Sequence, residues 1–176
     1  EIDDLQQLVP ALVNAALVEH ASGHRPAALA LVEEAIQITA DRAGGQRFRG
    51  QHLADLVRLT AEAAPSLARD LVATAQPTAT RYQLAATTAE AVLAETAGEL
   101  DQAADLYASA AEGWEAYGHV LEHALARFGR ARCLVRLAHP EATSAMRTAN
   151  RLLTGLGARL FASQAGALLK ARRGRS

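Results

Sequence analysis

Apolar residues recur at spacings of three and four from Leu5 to Leu169, and Val, Ile, Thr and aromatic residues never alternate in turn-bounded runs. The pattern predicts an all-α chain. Glycine and proline cut it into about nine segments of helical length. Pro10 is expected at or near the first turn of the first helix, where its missing N–H costs nothing, and that helix ends at Ser22-Gly23. Pro26 opens a second helix ending at Gly44-Gly45, and a third spans 46–63. Pro65-Ser66 open a short fourth, stopped at Gln76-Pro77. Thr78 or Thr80 caps a fifth that ends at Gly98, and the sixth runs through Trp114 to Gly118. The seventh covers 119–137, His139-Pro140 open an eighth that ends at Gly155 and Gly157, and a ninth spans 158–172. Connections this short make successive helices antiparallel neighbours.

Four of these helices share a register: small residue, bulky residue four positions on, alanine three further. It reads Ala28, Val32, Ala35; Ala68, Val72, Ala75; Ala103, Tyr107, Ala110; and Ala142, Met146, Ala149. The spacing puts each trio on one helical face, and the offsets between trios fall in the range of helical-repeat arrays, roughly 35–40 residues. The expected architecture is an antiparallel helical-hairpin solenoid. Its hairpins cover 3–44, 46–76, 78–118 and 119–156, and a capping helix covers 158–172.

Gly23 through Ala35 and Gly98 through Ala110 carry a turn glycine followed by this alanine, bulky, alanine spacing, and Leu100 occupies a hydrophobic turn position. In this the chain resembles the tetratricopeptide repeats. The other two hairpins depart from the family, with Ala63 and Ala138 near the glycine position and Pro65 and Pro140 following. More narrowly, the run from Ala111 through Gly118 into Glu122-His123-Ala124, with Leu137 to Ala142 and Leu156-Gly157-Ala158, is similar to the C-terminal repeat regions of actinobacterial signal-transduction ATPases, LuxR-type regulators and cyclase-linked regulators. The resemblance implies a non-enzymatic interaction or sensor module of a bacterial regulatory protein. Such a module binds a peptide or partner domain on the concave face lined by the first helices of successive hairpins. The alternative is a small-molecule effector domain, with a closed pocket in place of an open groove. Matching the two better repeats to the family pattern places His20, Val92 and Glu95 toward that face, and a looser register adds Arg58, Phe128, Arg132 and Arg136.

Composition narrows the chemistry. A single cysteine, Cys133, excludes an intrachain disulfide framework and a multi-cysteine zinc site. No apolar run approaches a membrane span, and Glu1-Ile2-Asp3-Asp4 is unlike a signal peptide, so a reducing, cytoplasmic setting is expected. There is no phosphate loop, since the one lysine, Lys170, follows Leu168-Leu169. His119 and His123 share a helical face beside Glu122, but no third ligand is apparent and the pair reads as surface residues near a helix start. His20 and His24 read as turn residues. Cys133 reads as a small buried hydrophobe, and the acidic pairs Asp3-Asp4, Glu33-Glu34 and Glu95 with Glu99 as solvated faces. No cofactor, metal or catalytic set is expected.

Charge is unevenly spread. Residues 1–118 hold 17 acids against 7 arginines, whereas 119–176 hold 11 basic residues against Glu122 and Glu141. Arg127, Arg130, Arg132 and Arg136 mark the seventh helix, and Lys170, Arg172, Arg173 and Arg175 end the chain. Such a basic half suits a solvated terminal cap, an acidic protein partner, nucleic acid, or the acidic half of another copy in a salt-sensitive self-association. With only Phe128 and Phe161 as aromatics there, stacking on single-stranded nucleic acid is disfavoured.

Overall fold

The computed structural model describes residues 2–40 and 44–173. The side chains of Asp3, Asp4, Arg172 and Arg173, and Arg175 altogether, lie outside the described residues. Among the described residues there are ten helices and no strand: α1 (Ile2–Ala21), α2 (Arg25–Ala40), α3 (Gly45–Gln51), α4 (Leu53–Thr60), α5 (Pro65–Ala73), α6 (Thr80–Ala97), α7 (Leu100–Tyr117), α8 (Val120–Arg136), α9 (Ala142–Gly155) and α10 (Arg159–Arg173). None of them is long and apolar enough to cross a membrane. The chain divides into two compact units, Glu1–Thr96 and Ala97–Ser176, and the division falls inside the segment expected as the third hairpin, 78–118.

In the first unit, α1 packs on α2, α4 packs on α5, and α3 and α4 lie against α1 and α2. Leu5, Val9, Leu12, Val13 and Ala16 form the buried stripe of α1. Pro10, expected at or near the first turn, instead lies inside this helix, eight residues after its first residue, Ile2. An interior proline lacks one N–H and crowds the carbonyl four residues back. The helix continues through it because the apolar stripe runs on both sides of Pro10, and burying five such side chains outweighs a single defect.

The expected third helix is two helices that meet at His52, whose backbone (φ −108°, ψ 11°) leaves the helical region. His52 Nε2 is buried without a hydrogen-bond partner. Burial pushes its imidazole below the usual value of 6.5; the Asp55 carboxylate opposes that shift and Arg81 adds to it. A histidine lowered in this way stays neutral in the fold while the unfolded chain takes up a proton. Stability present above about pH 6.5 is therefore lost as pH falls toward the folded value. The urea midpoint is expected to drop between about pH 7.5 and about pH 5.5, and His52→Gln is expected to reduce that drop. An identical pH dependence in the variant would remove His52 from the account.

In the second unit α8 packs on α7, α9 on α8 and α10 on α9. The core of α8, α9 and α10 gathers Leu125, Phe128, Met146, Leu153 and Ala165, with Phe161 and Leu168 packed against it. The shared register is buried on α2, α7 and α9, where all nine residues of the three trios are inside. Of the fourth trio only Ala68 is buried; Val72 and Ala75 are half-buried, and α5 ends at Ala73, before the stripe is complete.

Four turns close with one hydrogen-bond pattern. At Gly118 the N–H of His119 donates to Trp114 O (3.0 Å) and the N–H of Gly118 to Glu115 O (3.1 Å), the Schellman arrangement that satisfies the last carbonyls of a helix. Gly23 and Gly157 repeat it, and so does Ala138, through His139 N–H to Leu134 O and Ala138 N–H to Val135 O. The pattern needs a left-handed residue, and Ala138 adopts φ 54° despite its Cβ. Ala138→Gly is therefore expected to raise stability by about 0.5–1 kcal/mol, since relief of the left-handed penalty exceeds glycine's added unfolded-state entropy. An unfolding midpoint at or below that of the parent would contradict this.

Candidate partner-binding site

The residues expected on a concave face divide between the two units. His20 is half-buried in the last turn of α1. Arg58, on α4, is half-buried and donates to Asp55 Oδ1 at 2.7 Å. Glu95 is half-buried on α6 and Arg136 is exposed in the last turn of α8. Arg132 stands with its guanidinium carbon 4.8 Å from the Phe128 ring centroid, and its Nη2 lies 3.5 Å from Tyr107 Oη. Val92 and Phe128, expected as surface contacts, are instead packing residues, both inside the fold. In helices this rich in alanine the few bulky side chains must fill the space that alanines leave, so the fold itself uses them.

The basic cluster foreseen on α8 is likewise largely committed to the fold. Arg127 and Arg130 are half-buried; Arg127 Nε is enclosed and Arg130 reaches Glu141 at 3.6 Å. Two exposed cations stand together on the next helix. Arg147 and Arg151 are exposed, one turn apart on α9, and no acidic residue follows Glu141 in the chain.

A cleft of about 590 Å³ opens in this unit. Trp114, Glu115 and Gly118 from the end of α7 form one side, and Val120 and His123 from the first turns of α8 the next. Thr148, Arg151, Leu152 and Gly155 of α9, with Leu156 beyond it, complete the lining. The two-residue connection Gly118-His119 creates it by holding the end of α7 beside the start of α8. The side chain of His119 caps α8, accepting from the Glu122 N–H at 3.4 Å, and its ring lies edge-on to Trp114 with centroids 5.4 Å apart. His123 is tied to α7, its Nδ1 lying 2.8 Å from Ala111 O. A carbonyl only accepts, so Nδ1 carries the proton; the neutral ring then has a lone pair at Nε2. His119 and His123 are thus a cap and an interhelix tie, a more specific arrangement than a pair of surface residues.

The cleft is open and largely apolar. Trp114 is buried, whereas Val120 is 63% exposed and Leu156 42% exposed. Its polar lining is one carboxylate, one imidazole, one hydroxyl and one guanidinium, and the last two bond to each other, Arg151 Nη2 to Thr148 Oγ1 at 3.4 Å. Such a surface recognises an apolar group and orients it with a few polar contacts. Among the described residues no three His, Cys, Asp or Glu side chains converge as metal ligands, and Cys133 is buried. None of the seven residues expected on a concave face lines the cleft. Signals for it were present in the apolar Val120-Leu121 immediately after a turn and in Leu156 between two glycines. No family model, curated protein or solved structure matches the chain.

Proposed function

We propose that the chain is a non-enzymatic interaction module of a bacterial regulatory protein, working in the cytoplasm, and that the cleft of the second unit receives a segment of a partner protein. The observation that carries this reading is the open rim: Val120 and Leu156 keep about half of their surface in water at the mouth of an apolar cleft. Apolar side chains held this way at a concavity are the usual mark of an interface. What supports the tetratricopeptide-like repeat reading is the buried register on α2, α7 and α9 together with the recurring turn closure. The excess of cations on α9 and α10 supports an acidic partner and a salt-sensitive association.

The cleft volume also falls in the range of small-molecule sites, roughly 300–1,000 Å³, which favours an effector-binding domain as the second reading. The open rim counts against it, because a small ligand is usually enclosed over most of its surface. Selection from a displayed random-peptide library, counter-selected on Val120→Asp/Leu156→Asp, tests the first reading. Sequences are expected that bind the parent and lose the variant. Equal recovery on both proteins would overturn the cleft as the docking site.

A further inference from the structure

We propose that the occupant of the cleft is an amphipathic helix of a protein partner. Its apolar stripe seats against Trp114, Val120, Leu152 and Leu156, and its carboxylates lie along the flank over α9, where Arg147 and Arg151 stand. This rests on reading the cleft as a docking site and adds the secondary structure and charge of what docks.

Backbone accounting selects the helix. A peptide in extended form brings an N–H and a C=O at every residue, and each must find a partner once water is displaced. The lining has little to give. Val120, Leu152 and Leu156 have no side-chain polar atom; what remains is the Glu115 carboxylate, His123 Nε2 and the N–H groups of Arg151 not given to Thr148, too few for an extended backbone. No strand lies among the described residues, so none offers an edge for a peptide to extend. A helix satisfies its own backbone and presents only side chains, which is what an apolar concavity walled by helices accepts.

Charge selects the flank. α9 and α10 contain no acidic residue, and Arg147 and Arg151 form no ion pair among the described residues. On the α7 side the exposed carboxylate of Glu115 stands at the cleft. A helix acidic on one side and neutral or basic on the other therefore fits in one orientation only. Rim pairs of this kind set association rate and orientation more than affinity, and they weaken with salt.

Trp114 is the only tryptophan of the chain and lines the cleft, so its fluorescence reports occupancy directly. The full chain is titrated with designed peptides of roughly 18 residues that lack aromatics and carry leucines at the helical spacing i, i+3, i+4, i+7. One is flanked by glutamates, a second by lysines, and a third is the glutamate peptide interrupted by a central proline. The glutamate peptide is expected to saturate the Trp114 signal, to bind at least about ten-fold more tightly than either of the others, and to weaken as salt rises. Arg147→Glu/Arg151→Glu is expected to reverse the preference toward the lysine peptide, and Val120→Asp to abolish binding of both. Arg147, Arg151 and Val120 are exposed, so these variants keep the unfolding midpoint of the parent.

Equal binding of the glutamate and lysine peptides, unchanged by the arginine variants, would overturn the charge assignment, yet the docking site would stand if Val120→Asp still abolished binding. Equal binding of the proline peptide would overturn the helix. If 2-naphthoate saturated the signal and no peptide did, the cleft would be a small-molecule site. A salt-sensitive dimer of the chain alone, lost in Val120→Asp, would assign the cleft to a second copy. Each of these last two results would overturn the proposal. No response from any probe would remove the docking reading itself.

Discussion

Arginine in place of Ala103 lowers the unfolding free energy by more than about 2 kcal/mol. Ala103 opens the register on α7 and has no solvent-accessible surface, and Ala110, which closes it, has none either. A long side chain forced into that contact pushes apart packed helices and takes a charge out of water, and the two costs add. Asp105, two residues away and exposed on the same helix, is the control. Asp105→Arg is expected to stay within about 0.5 kcal/mol of the parent. A urea midpoint for Ala103→Arg equal to that of the parent would mean that the α7 register does not hold the second unit together.

Gly129→Ala is expected to destabilise by about 1–3 kcal/mol, although alanine in the middle of a helix normally gains about 1 kcal/mol over glycine. A Cβ at Gly129 would lie 2.5 Å from Cε1 and Cζ of Tyr107 and 2.7 Å from Cε2. The Tyr107 ring is buried and has no free space to withdraw into. The close approach of α8 to α7 thus depends on a bulky residue on one helix meeting a residue without a side chain on the other. If that is the cause, the cost shrinks when the ring is removed, and the double variant Tyr107→Leu/Gly129→Ala should show a coupling above about 1 kcal/mol. Strict additivity would place the cost of Gly129→Ala elsewhere.

The helical content and most turn positions were legible in the sequence for local reasons. Gly23, Gly98, Gly118 and Gly157 all sit at helix ends with positive φ, and only glycine does this without strain. Pro26 and Pro65 fall in the first turns of α2 and α5, where proline loses nothing. Pro10 was misplaced, and the break at His52 inside the expected helix 46–63 was missed, for the complementary reason. An interior proline is tolerated when tertiary burial supports the helix on both sides, and a helix can divide at a residue that is neither glycine nor proline, as this one does at His52.

Burial of the stripes on α2, α7 and α9 was legible because spacings of four and three define a face whatever lies opposite. The exposure of single residues was not. A shift of one residue turns a side chain by about 100°, enough to place Phe128 and Val92 on a surface when they belong inside. Gly129 could be read only as a weak helix position until Tyr107 was seen to stand over it. The cleft was hidden most fully, since it joins the end of α7, the start of α8 and the far end of α9, and spacing along the chain does not bring Trp114 to Arg151.

Whether the partner docks in this cleft is tested most directly by mapping amide shifts of the full, isotopically labelled chain as the glutamate-flanked peptide is added. The account predicts that perturbations concentrate on Trp114, Val120, His123, Thr148, Arg151, Leu152 and Leu156. Perturbations gathered on His20, Arg58 and Glu95 of the first unit, with the cleft unchanged, would contradict it and restore the concave face of the repeat reading.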